Sequence, residues 1–156
     1  MSRQKGFTLV ELVVGLAILL VLLVSVVPAT EGLNHLLGRV QLDLASKMLA
    51  MDLGVVQEKA LYENKGAQKY KLLLLSNGKG YTIYRQGEPW KAVVFAEQAL
   101  SRVRLETLVR EVSFSNSGAP QKYVVIKVKM EQEAGYWKTV AVQPITGRIV
   151  ITDETG

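Results

Sequence analysis

Between Leu12 and Val27 only Gly15 and Ser25 interrupt a run of aliphatic side chains, and just ahead of it stands one carboxylate, Glu11. No other feature limits the chain so strongly. As a helix at ~1.5 Å per residue, the stretch from Phe7 to Val27 covers roughly 30 Å, about one hydrocarbon core. Arg3 and Lys5 precede it, and the next basic residue is Arg39. That asymmetry places the N-terminus in the cytoplasm and the remainder on the far side of the membrane. Pro28 falls where such a helix leaves the lipid, and a kink is expected there.

Glu11 separates three readings of this segment. In a secretory signal peptide, Val27-Pro28-Ala29 would supply the small-residue cleavage site and Thr30 the new N-terminus. The apolar region is longer than the usual ~7–15 residues, however, and it contains an acid. A plain single-span anchor explains length and orientation but has no use for a carboxylate, which costs about 2.5–3.5 kcal/mol at a bilayer centre and less near its edge. In the third reading the charge acquires a partner. Cleavage between Gly6 and Phe7 would create an α-amino group one helical turn from Glu11, on the same chain or on a neighbour, and buried charges persist when paired. Gly6 has no side chain to obstruct a protease at the scissile bond. Thr8 can return its hydroxyl to the helix at little cost.

The stretch Lys5-Gly6-Phe7-Thr8-Leu9-Val10-Glu11-Leu12 resembles the class III leader junction of type IV pilins and pseudopilins. The resemblance implies that residues 1–6 are a leader removed by prepilin peptidase. It implies that Phe7 becomes N-methylated and that Glu11 aids insertion into a growing filament. It also implies residence in the inner membrane before assembly, an inner-membrane assembly platform, and other pilin or pseudopilin subunits as partners. Residues 7–29 would be the membrane and filament-core helix, and 30–156 the extracytoplasmic domain.

Beyond Pro28 the pattern stays helical. Leu33, Leu36, Leu37, Val40, Leu44, Met48, Met51 and Val55 recur at steps of three and four, and Leu42, Ala45, Leu49, Leu53, Val56 and Ala60 form a second stripe beside them. Asp43, Ser46, Lys47, Asp52, Gln57, Glu58 and Lys59 supply polar positions, several of them expected in solvent. One helix from about Phe7 to Leu61 is predicted, ending at Glu63-Asn64-Lys65-Gly66. Strands are predicted over 69–75, 81–85, 90–95, 109–114, 122–130, 136–143 and 148–152, parted by turn chemistry such as Ser76-Asn77-Gly78 and Thr146-Gly147. Gly87-Glu88-Pro89 reads as a break, and 96–104 as a loop or short helical turn. Helix first and hairpins after means an α+β fold, with the amphipathic half of the helix on an antiparallel sheet.

Arg39-Val40-Gln41-Leu42-Asp43-Leu44-Ala45, Val56-Gln57-Glu58-Lys59-Ala60, Ser117-Gly118-Ala119-Pro120 and Thr146-Gly147-Arg148 are similar to segments of minor pseudopilins of the H type and their pilus and competence relatives. Such proteins act in type II secretion or type IV pilus systems.

Reactive chemistry is sparse. The chain has no cysteine and one histidine, His35, so a disulfide framework is excluded and a zinc site is not expected. No nucleophile elbow or phosphate-cradling glycine motif is present. Glu131 and Glu133 alone make a poor calcium cage. No enzyme activity and no cofactor are expected. Beyond Leu61, fourteen Lys and Arg face nine Asp and Glu, a mild excess consistent with DNA contact at a pilus tip. Lys122, Lys127, Lys129 and Arg148 are its candidates, with Tyr81, Tyr84, Trp90, Tyr136 and Trp137 as stacking surfaces. Some DNA-capturing relatives carry a second arginine after the Gly-Arg pair, which Gly147-Arg148-Ile149-Val150 lacks.

Overall fold

The computed structural model describes residues 9–63, 70–131 and 135–155 of the chain. Its first element is a single helix, α1 (Leu9–Tyr62). Eight strands follow: β1 (Tyr70–Leu74), β2 (Gly80–Arg85), β3 (Glu88–Val94), β4 (Val103–Thr107), β5 (Glu111–Ser113), β6 (Val124–Met130), β7 (Tyr136–Val142) and β8 (Ile149–Thr155). The chain divides into two units between Leu37 and Gly38.

Two antiparallel sheets take the place of the single sheet expected. Their strand orders are β3-β2-β1-β5 and β4-β6-β7-β8. The strand that alters the topology is β4, whose first two residues end the segment 96–104 read as loop or helical turn and whose other three were assigned to no element. Val103, Leu105 and Thr107 alternate with Arg104 and Glu106, and Val103 and Leu105 are buried while Arg104 and Glu106 are exposed, so period-two patterning does operate there. Glu88 and Pro89, read as a break, belong to β3. Proline is tolerated because β3 is an edge strand and the β2–β3 register shifts beside it, between Ile83 and Tyr84.

Of the two apolar stripes on the helix, the second makes the core. Leu42, Ala45, Leu49, Leu53 and Val56 are wholly buried, against Leu72, Ile83 and Val112 of one sheet and Val124, Ile126, Val128 and Val140 of the other. From the first stripe Leu36, Leu37, Val40, Leu44 and Met51 remain exposed.

Two aspartates flank the buried stripe about half a turn apart around the helix axis, and each reaches a lysine of a different sheet. Asp52, one of the polar positions of which several were expected in solvent, is buried. It accepts hydrogen bonds from Tyr81 Oη (2.8 Å) and from Lys91 Nζ (2.6 Å). Burial, followed by the charge and hydrogen bond of Asp52, pushes the Tyr81 phenol far above its ordinary value, so it remains a donor. On the other flank Asp43 accepts from Lys138 Nζ at 3.0 Å, and Asp153 of β8 holds the same ammonium at 2.7 Å. Burial alone would lower the pKa of Lys138, but the hydrogen bonds to Asp153 and Asp43 outweigh it and raise it. Asp43 also makes the expected turn-to-turn pair with Lys47 at 2.7 Å.

Asp52→Ala strands the buried Tyr81 hydroxyl and is expected to cost about 1–3 kcal/mol; Asp52→Asn keeps an acceptor and should cost less, as read from paired denaturant titrations. The carboxyl of Asp43 is held below its ordinary 3.8 by Lys47 and then Lys138, and that of Asp153 by Lys138 and then Tyr136. Their stabilisation is therefore full above pH 3.8 and is lost as pH falls through the folded-state values. Lys138 acts in the opposite sense: its contribution is present below its ordinary 10.5 and is lost only in strong alkali. Lys138→Met should flatten the fall in Tm between about pH 4 and pH 2, measured by circular dichroism.

Candidate functional site

The residues to which the sequence points lie in three places. The first is the N-terminal motif. Gly6 and Phe7 lie outside the described residues. Glu11 stands in the first turn of α1, with exposed Leu9, Val10 and Leu12 through Leu22 around it, Gly15 and Ala17 included. An acid in the first turn is favoured by the positive end of the helix dipole. Pro28 lies within α1, but its side chain, and with it the expected kink, falls outside the described residues. Among the described residues no helix is long and apolar enough to cross a membrane; the expected span from Phe7 to Val27 begins ahead of them, and its side chains beyond Leu22 lie outside the description.

The second place is the solvent-facing side of the β4-β6-β7-β8 sheet. Register puts Lys127 opposite Glu106 and Thr139, and Lys129 opposite Arg104 and Trp137. Both ammonium groups lie over the Trp137 ring, at 5.4 and 5.7 Å from its centroid. Lys129 also pairs with Glu106 at 2.7 Å. The indole N–H donates to Glu154 at 2.8 Å, fixing the ring under the lysines. Lys127 and Lys129 thus come together, as their alternation implies. Lys122 precedes β6 and Arg148 precedes β8, both exposed, and neither joins this cluster through a hydrogen bond, ion pair or ring contact. The stacking surfaces are largely in use: Tyr81 is buried, Trp90 packs edge-on against Tyr70, Arg39 covers Tyr136, and Trp137 lies beneath the lysines. Among the described residues no group of three or more His, Asp or Glu could hold a metal ion.

The third place shows why the separate Ser-Gly-Ala-Pro and Thr-Gly-Arg segments matter together. The Gln57 side chain, on the helix, donates from one amide nitrogen to the carbonyl of Gly118 (2.7 Å) and to that of Gly147 (2.8 Å). Both glycines have positive φ, +77° and +66°, a region that glycine enters freely. A Cβ on Gly147 would run into the Gly118 carbonyl and the Gln57 amide. Sequence reasoning placed Gln57 among the polar helix positions and in one of the segments similar to H-type minor pseudopilins, without linking it to either glycine. Its position one turn before the helix end, with two glycine turns downstream, carried no sign that the three converge.

Residues 1–27 match the model of the prokaryotic N-terminal methylation motif. The structure is similar to two crystal forms of the type IV minor pilin FimU from Pseudomonas aeruginosa. One match has a TM-score of 0.59 at 16% identity, over 73% of this chain and 90% of FimU. The other has a TM-score of 0.54 at 14% identity, over 71% and 92%. A comparison with curated proteins returned no match. The chain thus joins a prepilin-type methylation motif to the fold of a type IV minor pilin, a helix packed on antiparallel sheets.

Gly147→Ala is expected to destabilise the domain by about 2 kcal/mol or more, through a collision as well as strained backbone. Gln57→Ala should cost less, since it removes two hydrogen bonds without adding atoms. Urea midpoints of the two variants against the parent test this order.

Proposed function

We propose that this chain is a non-enzymatic structural subunit, of minor pilin or minor pseudopilin type, that enters an extracytoplasmic filament or its tip through its N-terminal helix. The observation that carries the reading is the methylation motif over residues 1–27, joined to a domain whose fold is that of a minor pilin. Cleavage after Gly6 and methylation of Phe7 yield the mature subunit. Glu11 then pairs with an N-terminal amine, which is why a carboxylate is retained at the edge of an aliphatic run. Before assembly the subunit spans the inner membrane, N-terminus in the cytoplasm and residues 30–156 outside. Withdrawal of the segment from Phe7 to Val27 from lipid is offset by apolar contact with the helices of neighbouring subunits. Prepilin peptidase, other pilin-type subunits and the assembly platform are its partners, in a type II secretion pseudopilus or a type IV pilus.

DNA capture at a pilus tip is the second reading of the same fold. The basic residues available for it do not favour it: Lys129 is neutralised by Glu106, Lys127 rests on Trp137, and Lys122 and Arg148 stand outside that cluster. Salt-dependent binding to duplex DNA would reverse that preference.

N-terminal analysis of the mature protein is expected to give N-methylated Phe7; a start at Thr30 would mean signal-peptidase release and overturn the reading. Gly6→Val should leave an uncleaved precursor with no shift on a gel. Glu11→Ala should be cleaved normally yet fail to enter sheared filaments, and normal incorporation would sink the pairing argument.

A further inference from the structure

Seven lysines of the domain are neutralised locally. Lys47, Lys59, Lys71, Lys79, Lys91, Lys129 and Lys138 each pair with a carboxylate. Arg39 and Arg85 lie on tyrosine rings. Arg102, Arg104, Arg110, Lys122 and Arg148 have no such partner among the described residues, and two of them, Arg104 and Arg110, come together. They line one polar cleft of about 210 Å³, together with Ser76, Gly78 and Glu106. Among the described residues neither guanidinium has a hydrogen bond, an ion pair or a ring contact. The carboxylate in that lining, Glu106, is already engaged by Lys129. Two guanidinium forks in one cleft, with no acceptor of their own, suit an oxyanion supplied from outside.

A second concavity begins on the other side of the same strand end. Leu108, Val109, Tyr123 and Val125 wall an apolar groove of about 440 Å³, rimmed by Lys127. Leu108 is fully exposed and Tyr123 largely so, which is unusual for large apolar side chains grouped together. Glu106 and Thr107 line both concavities. An occupant can therefore place a charged group among the arginines and an adjacent apolar group in the groove.

We infer that the C-terminal end of β4 is a docking site for a partner protein segment in which a carboxylate side chain lies next to an apolar one. The carboxylate enters the Arg104–Arg110 cleft, and the apolar side chain covers Leu108 and Tyr123. A nucleic-acid backbone fits less well. Its successive phosphates would run over the apolar wall of Leu108, Val109, Tyr123 and Val125. The site is separate from the N-terminal helix and stands whether or not the chain enters a filament.

The test uses the full chain in lipid nanodiscs, with labelled methyl groups and arginine side chains followed by NMR. The probes are acetyl-Leu-Asp-Leu-amide, its neutral counterpart acetyl-Leu-Asn-Leu-amide, and inorganic phosphate. The acidic peptide is expected to shift the methyls of Leu108, Val109 and Val125 and the Nε–H signals of Arg104 and Arg110 saturably. It should bind at least about tenfold more tightly than the neutral peptide. Arg104→Gln with Arg110→Gln should make the two peptides equal, and Leu108→Ser should weaken both, while methyl signals of the core stay in place as evidence of folding. Equal affinity of the two peptides for the parent chain, absence of saturable shifts at these residues, or tighter binding of phosphate than of the acidic peptide would each overturn the proposal.

Discussion

Asp43 and Asp52 hang on opposite flanks of one helix, and the arrangement of both sheets depends on where those two carboxylates point. The buried stripe between them is aliphatic and non-directional, so it can attract a sheet without fixing its position. Lys138, reached by Asp43, and Lys91, reached by Asp52, set that position. Each pair joins the helix to a different sheet, and neither sheet needs to hydrogen-bond to the other along its strands. A hydrophobic contact supplies the attraction, and two charge-assisted hydrogen bonds supply the register.

The two pairs are not equivalent. Asp52 is deeply buried and shared with a buried phenol, so removing its partners leaves a charge or a hydroxyl without solvent. Asp43 and Asp153 are exposed carboxylates closing over a buried ammonium. There the lysine is the group withdrawn from water, and its head finds two acceptors. One clamp is therefore sensitive to loss of a side chain, the other to acid.

Much of the architecture can be read from the chain. The aliphatic run, its carboxylate and the Gly6–Phe7 junction delimit the N-terminal motif, and alternation in 124–130 gives β6 with its inward and outward faces. Other features lie beyond local pattern. Both helical stripes recur at steps of three and four, so spacing could not tell that Leu42, Leu49 and Leu53 are covered while Leu36, Val40, Leu44 and Met51 are not. The choice is made by the sheets, whose division into two depended on β4. Which polar helix positions reach solvent could not be told either: Asp52 is buried, and polarity is a weak guide wherever a partner waits on another element. Lys127 and Lys129 were correctly placed on one face, but the carboxylate and indole that occupy them come from β4 and β7.

The amide of Gln57 bridges turns that lie 61 and 90 positions further along the chain. Its nitrogen fits because Gly147 has no side chain: a Cβ there would collide with the amide and with the Gly118 carbonyl, whereas one at Gly118 would only touch the amide. Positions 57, 118 and 147 consequently form one unit of variation. Among divergent chains of this fold, a larger residue at 147 calls for a different residue at 57 and a redrawn loop at 118. A glutamine retained at 57 marks both turns as unchanged.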